Sequence, residues 1–481
     1  GYYGKRGASL EAEGRYLFAG GHHGEIIVDG LPDDDVFGDE RYLLGWSHVF
    51  RPDENWRTEV NLQEASDQRY LEDFGSGLLE TSSSHLHRYL SVERDTLRSA
   101  LDIRLDDYQM MDRTVATAPY QVLPRISYYH GFRFPQQRMA ADLNLDLASF
   151  NRNSRVEGWR LNAQPEVRWP FRYAWGGVEP KIKVDLTQYE LENTVAGTES
   201  SPSRAIPMLR VDGDLVFEKA LSLGDGAYTH TIEPRAMYLY VPRKNQSAMP
   251  VFDTNTLTPS YTGLFYDNRF AGGDRIGDTN QISLGVSSRL LNESVGRELL
   301  RADVGVAYYL EDRQEQLPGV APQTANTSEY VARLRSEFAR NWFTELEYAY
   351  DADLDDSLTS NYELGYRPGD GNTFTLQHRY LRDNTGHSLI SGSLSLNPRW
   401  RLVAAYDYSH RLDKAIDVLA GLEYGTCCWG VRLVGRHYQT DTTGATDDAV
   451  LLELELKGLA GIGDSVRSTL ADEIDGYTDV D

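Results

Sequence analysis

The sequence predicts an all-β fold, a large antiparallel transmembrane β-barrel, from three observations. Segments of roughly ten residues alternate apolar and polar side chains along the whole chain, the period of a strand with one apolar face. Charged residues recur on the opposite face of strand after strand, as in a wall that lines water on one side. No run approaches the ~18 consecutive apolar residues of a spanning helix, which excludes crossing by helices and leaves crossing by strands open.

The alternation is explicit at both ends of the chain and in the middle. Leu143, Leu145 and Leu147 oppose Asp142, Asn144 and Asp146, while Ile182, Val184 and Leu186 oppose Lys181, Lys183 and Asp185. Leu346, Tyr348 and Tyr350 oppose Glu345 and Glu347; Leu402, Ala404, Tyr406 and Tyr408 oppose Arg401 and Asp407. Leu452, Leu454 and Leu456 oppose Glu453, Glu455 and Lys457. The apolar members are expected to face lipid and their partners a lumen. Aromatic residues gather at strand ends (Tyr128 and Tyr129, Trp169 and Trp175, Tyr238 and Tyr240, Tyr308 and Tyr309), where hydrocarbon would meet headgroups.

Composition agrees. Apolar residues make up 40% of the 481, Tyr outnumbers Phe by 30 to 15, and Gly reaches 42. That mixture, with a mean hydropathy of −0.50, suits a thin outward apolar band better than a thick core. The net charge of −25 argues against nucleic acid as a partner. Connections are of two kinds: short turns such as Asn397-Pro398 and Pro368–Gly371, and longer polar loops at Ser66–Ser84, Asn193–Ser203 and Asp312–Ser328. At ~20 residues per strand plus connection, the chain allows about two dozen strands. The barrel is expected over residues 1–459 and a C-terminal tail over 460–481, with one short helix within Gly461–Tyr477 from about Asp464. The opening GYYGKRG carries no leader pattern and reads as a hairpin tip, so the chain is taken as a fragment or mature piece.

No catalytic constellation is visible. His22-His23-Gly24-Glu25 lacks the spacing of a zinc-protease helix and is placed in a loop. There is no nucleophile elbow, phosphate loop or calcium loop, and no cofactor or metal is expected. Asp33, Asp34 and Asp35 are read as a solvated acidic loop in preference to a cation site. Two stretches stand out. Cys427 and Cys428, the only cysteines, are adjacent at the mouth of a strand in which Trp429, Val431 and Leu433 alternate with Gly430, Arg432 and Val434. Neighbouring cysteines rarely bond to one another. They are therefore free thiols or tethers to a segment outside the chain. The second stretch, Glu233–Arg289, holds a long connection rich in Tyr, Phe, Asp and Arg. Arg269, Asp274 and Arg275 amid glycines there suggest a folded loop held by mutual charge-assisted hydrogen bonds, with Asp267, Asp278 and Asn280 in the same run.

That run, Asp274–Gln281 (DRIGDTNQ), resembles a signature of the LptD family of outer-membrane lipopolysaccharide-assembly proteins. So do the paired cysteines followed by an aromatic and Arg432, the opening EGRYLF…VDGLPDDD…DERYLLGWSH, and the closing LLELELKGL. The resemblance runs from near Gly1 to near Tyr477. It implies a barrel of about 26 strands preceded by a periplasmic jellyroll, which is absent from this chain. It also implies a lipoprotein, LptE, plugging the lumen, and a periplasmic Lpt bridge delivering lipopolysaccharide through the jellyroll. Lipid would leave sideways, between first and last strands, into the outer leaflet of a Gram-negative outer membrane. Cys427 and Cys428 would be bonded to cysteines of the missing N-terminal domain. The strand Ala449–Leu459 is expected to be the last, with its edge at Leu451, Leu452, Glu453, Leu454, Glu455 and Leu456 the moving side of the gate. No bond chemistry is implied; the alternatives are an outer-membrane enzyme of protease or lipase type, a passive porin, and, last, a secreted β-sandwich array.

Overall fold

The computed structural model describes the chain apart from residues 1, 5, 75–83, 112–117, 225, 370, 440–444, 458–459, 464–465 and 479–481. Part of the predicted loop Ser66–Ser84 and the end of the predicted strand Ala449–Leu459 fall outside the described residues. The rest forms one 27-stranded antiparallel sheet in which neighbours in sequence are neighbours in space. Two local departures occur: Ser203–Leu215 and Phe217–Leu223 share the partner Gly226–Val241, and Phe171–Tyr173 folds back on Gly176–Glu192. Among the described residues no pairing joins the first strands to the last ones.

The strands pack against no second sheet. Instead the period-2 alternation sorts side chains between two faces of a single sheet. On the outer face Ile182 is 45% exposed and Leu186 42%, and Leu402, Leu433 and Leu452 are exposed with them. On the inner face beside Ile182 and Leu186 lie Asp185 and Thr187, with Arg204 opposite Thr187 on the next strand, all buried. Apolar side chains left open and charges tucked in invert the soluble pattern, and match a sheet with lipid outside.

Connections segregate by end. Residues 19–21, 51–55, 96–98, 293–296, 340–341, 398–399 and 426–428 turn tightly at one end. Residues 32–40, 193–202, 242–278 and 310–329 form long loops at the other, where the described residues 66–74 also lie. Aromatic rings belt the turn end: Tyr173 stacks on Trp175 at 5.2 Å, and Trp400, Tyr424 and Trp429 follow one another at 4.9 and 5.2 Å.

Two expectations change. The His22–Glu25 run opens the strand His22–Leu31, with His22 stacked on Phe50 at 3.8 Å and Glu25 paired with Arg15. Strand pairing to Arg41–Phe50 fixes it where local composition suggested a loop. The strand Thr446–Leu456 is not the last: Ala460–Gly463 doubles back on Glu453–Leu456, covering four of the six residues expected at an open edge. A short reverse strand satisfies edge groups that would otherwise lack partners. The short helix expected in the C-terminal tail is present as Val466–Glu473 and packs on the inner face.

Placing charge on the outer face tests the assignment of faces. Ile182→Arg should lower folding stability in vesicles by about 2–4 kcal/mol. Asn144→Arg, on the inner face, should change it by less than about 0.5 kcal/mol. Equal effects, measured by urea titration, would overturn the assignment.

Candidate functional site

The inner face is lined by ladders of opposite charge contributed by successive strands. A strand residue on this face meets its cross-strand neighbour, so acid and base placed in register pair. Asp303 receives Arg333 and Arg301, and Asp212 receives Arg235 and Arg210. Onto this lining fold three segments, each gripped by an arginine.

The largest is the connection 242–278, which lies against the inner faces of the strands from Glu157 to Tyr309. Its grip is Arg160, 1% exposed, whose guanidinium meets Asp253 and Asp274 at 2.7 Å and Asp146 at 3.2 Å. Asp274 also accepts from Tyr189 Oη at 2.9 Å and from the amides of Phe252 and Asp253. A buried guanidinium is tolerable only when its charge and donors are matched, so these carboxylates are a condition of its burial. Burial works against ionisation of Asp253, but the Arg160 contacts outweigh it and hold this carboxyl below the usual range. A Cβ at Gly273 would stand 2.6 Å from the Arg160 Cζ, so only glycine allows this approach.

Arg204 adds a second strand-to-loop clasp, donating to Asp185, the Gln246 side chain and the carbonyls of Gly273 and Asp274. Lys181 and Arg210 converge on Asp267 at 2.8 and 2.7 Å. Beneath them an apolar layer of Ile206, Met237, Leu239, Leu264, Phe265 and Ile276 completes the seat.

All six signature residues are ordered, in part through one another: Arg275 donates to the Asp274 carbonyl at 3.1 Å, and most of the remaining partners lie outside the run. Arg269 binds the Asp278 carbonyl at 2.8 Å and its carboxylate at 3.3 Å, and reaches the Glu315 carbonyl. Arg275 donates to the carbonyls of Met249 and Pro250. Asp278 accepts the amides of Gln314 and Glu315, and Asn280 donates to Glu311. Arg160, Tyr189 and Arg204, on strands far away in sequence, went unforeseen; isolated charges on alternating faces were their only signal.

The second segment is the short helix Tyr70–Phe74 with the loop 32–40. Arg41, fully buried, contacts Asp67, Asp73 and Asp34, while Arg6 binds Asp34 at 3.0 Å and Asp73 at 3.1 Å. Asp34, expected in a solvated loop, is 0% exposed, and only Asp33 and Asp35 face water. Burial alone would raise its pKa. The amides of Val36 and Phe37, with Arg6 and Arg41, outweigh that and hold it at about 2. Gly7, at φ +120°, lies where a Cβ would meet the Asp33 carbonyl at 2.6 Å. The loop thus closes directly on the first hairpin.

The third segment is the C-terminal helix, bound through Arg436 to Glu473 and Asp417. At the turn end sit Cys427 and Cys428, exposed, unbonded and with sulfurs 2.8 Å apart. The contact with Cys427 raises the pKa of the Cys428 thiol.

A single strand wall, apolar outside, ion-paired inside and partly covered on that side by its own loops, is that of an outer-membrane β-barrel protein. The family model described as LPS transport system D (LptD) matches residues 39–400. The chain belongs to the LptD family. The LPS-assembly protein LptD of Nitrosococcus oceani is 35% identical over 99% of this chain and 65% of its own length. That of Alkalilimnicola ehrlichii is 34% identical over 98% and 64%. The chain thus spans just under two thirds of the length of these curated relatives. Among solved structures, the copper transporter OprC matches with a TM-score of 0.30 and 12% identity, covering 95% of this chain and 80% of that one. The siderophore receptor PirA from Acinetobacter baumannii matches with a TM-score of 0.32 and 10% identity, over 95% and 79%.

Two tests follow from these grips. Arg160→Ala leaves three carboxylates facing one another and should cost the loop 242–278 about 3–5 kcal/mol of local stability. Hydrogen exchange of loop peptides would read this; unchanged protection would show that the loop is held otherwise. Asp34→Asn should loosen peptides 32–40 and 66–74 at neutral pH. An unfolded Asp titrates near ~3.9, so the contribution of Asp34 is complete above about pH 4 and lost as pH falls towards 2. The difference between variant and wild type should shrink over that window.

Proposed function

We propose that this chain is the barrel through which lipopolysaccharide is moved across and inserted into the outer leaflet of the outer membrane. The observation that carries this reading is the pairing of an ion-lined inner face with an apolar outer face in a member of the LptD family. A polyanionic glycan needs a polar route while its acyl chains need an apolar one, and a seam in a strand wall offers both together. The edge from Thr446 to Leu451 has no strand partner on its free side among the described residues, which supports an exit between last and first strands. In lipid such an edge must find partners, so the seam is a ladder that closes and parts at the cost of a few hydrogen bonds.

No bond chemistry is part of this reading. The partners are lipopolysaccharide, membrane lipids, a lipoprotein of the LptE kind seated in the lumen, and a periplasmic bridge that docks on an upstream jellyroll. In this reading Cys427 and Cys428 tether that upstream domain by disulfides, which their exposure at the turn end supports.

Replacing Cys427 and Cys428 with Ser should leave the barrel heat-modifiable on gels but reduce lipopolysaccharide at the cell surface. Covalently linking the edge 446–451 to the first strand should stop delivery while leaving the barrel folded. Normal delivery through a locked seam would refute sideways exit.

A further inference from the structure

Contact with lipid asks only for apolar side chains, yet part of the outer face is also shaped. Across the strands from Gly176 to Asp351 it holds a groove of about 810 Å³, lined almost wholly by apolar atoms. That volume lies within the ~300–1,000 Å³ of sites that enclose a small molecule. Cross-strand register explains where the groove falls. Gly213 pairs with Val178 on one side and Ala236 on the other, and Ala236 pairs with Leu284. Val178 and Leu284 point outward, at 41% and 42% exposed, so Gly213 and Ala236 occupy outward positions and leave a gap between them. Trp175 closes one end of the groove, and Tyr330 and Tyr348 close the other.

The wall is held in this shape from behind. Gly285 and Gly305 pair at inward positions of strands that line the groove. A Cβ at Gly285 would lie 2.8 Å from the Tyr261 hydroxyl, and one at Gly305 2.8 Å from Leu264 Cδ1. The connection 242–278 thus presses on the inner side of the wall opposite the groove, with Phe265 under the Arg235 guanidinium at 4.1 Å. A groove backed by packed side chains is preformed, and an occupant need not reorganise it.

Towards the turn end the outward positions of the same strands become polar. Lys219, exposed, pairs in register with His230, whose Nε2 lies 2.9 Å from Ser288 Oγ. Phe217 and Ile232, 59% and 44% exposed, lie between this group and the groove. The strand runs roughly 13 Å from Pro234, at the groove, to His230. Hydrogen-bonding groups, a short apolar step and a long apolar groove follow one another as phosphate, glycerol ester and acyl chains do in a phospholipid.

We propose that this groove binds one membrane phospholipid, its acyl chains over Gly213 and Ala236 and its phosphate at Lys219, His230 and Ser288. Lipid tails are as apolar as leucine, so the gain is close packing and not expulsion of water; a shaped groove gives a chain more contacts than a flat face. Lys219 supplies a charge-assisted hydrogen bond to the phosphate. The site needs the outer face to meet lipid and does not depend on how lipopolysaccharide leaves.

The test places the full-length protein in vesicles of phosphatidylethanolamine and phosphatidylglycerol, with a trace of phosphatidylglycerol bearing a photoactivatable diazirine in one acyl chain. Labelled peptides are read by mass spectrometry. Peptides from Ser203–Leu215 and Gly226–Val241 should be labelled at least about fivefold more than those from Trp400–Ser409. Gly213→Leu should remove this excess. Its Cβ would meet only the Gly177 and Ala236 carbonyls, at 3.8 and 3.9 Å, so the side chain fits and fills the groove. Ala404→Leu, on the outer face elsewhere, should leave the excess intact. Should Gly213→Leu fail to insert, Ala236→Leu fills the same gap from the next strand. Lys219→Gln with His230→Gln should lower labelling by the phospholipid but not by a diazirine hydrocarbon without phosphate; equal effects on both would overturn the phosphate site. Even labelling around the outer face, an excess that survives filling of the groove, or a protein cross-linked there in place of lipid would overturn the proposal.

Discussion

A charge taken out of water must be matched where it lands, and this requirement organises the inner side of the wall. Arg41, Arg160 and Arg436 are each buried, each projects from a strand, and each meets carboxylates from a segment that folds inward. The strands supply the cation and the folded-in chain supplies most of the anions. The arrangement makes wall and filling interdependent. Without the loop 242–278, Arg160 would keep only Asp146 as a carboxylate partner; without Arg160, Asp253 and Asp274 would repel one another.

The outer side obeys a simpler rule, since lipid asks only for apolar side chains and satisfied backbone groups. The two rules act on alternate residues of the same strand. Lys181, Ile182 and Lys183 show it within three positions: the lysines reach Asp267 inside while Ile182 stands open outside. A route for an amphipathic lipid needs both surfaces, and the proposed seam would bring them together.

The strands were legible because their signal is local: Leu452, Leu454 and Leu456 announce a face by spacing alone. The filling was not, because its partners are distant. Arg160 and Asp274 are 114 residues apart, and nothing near either names the other. Composition did reveal that the stretch around Asp274 is folded, and Arg275 does reach the Asp274 carbonyl, but the strand partners of Asp274 come only from the closed-up chain. The apolar inner patch escaped notice for a different reason. Val403 and Val434 sit at positions where alternation predicts a polar neighbour for water, and only the docked helix explains them. Asp34 misled in the reverse sense, as a carboxylate in an acidic run that is in fact enclosed.

The separations also bear on the order of assembly. The amide of Arg467 reaches Glu453 across 14 residues, whereas Arg160 reaches Asp274 across 114. Closing the longer loop costs roughly 2 kcal/mol more in chain entropy. The C-terminal hairpins and their helix are accordingly a local nucleus, able to form before the long connection finds its seat. The strands that hold this connection would then close around it from a finished edge, and the wall would grow from its C-terminal end towards its first hairpin.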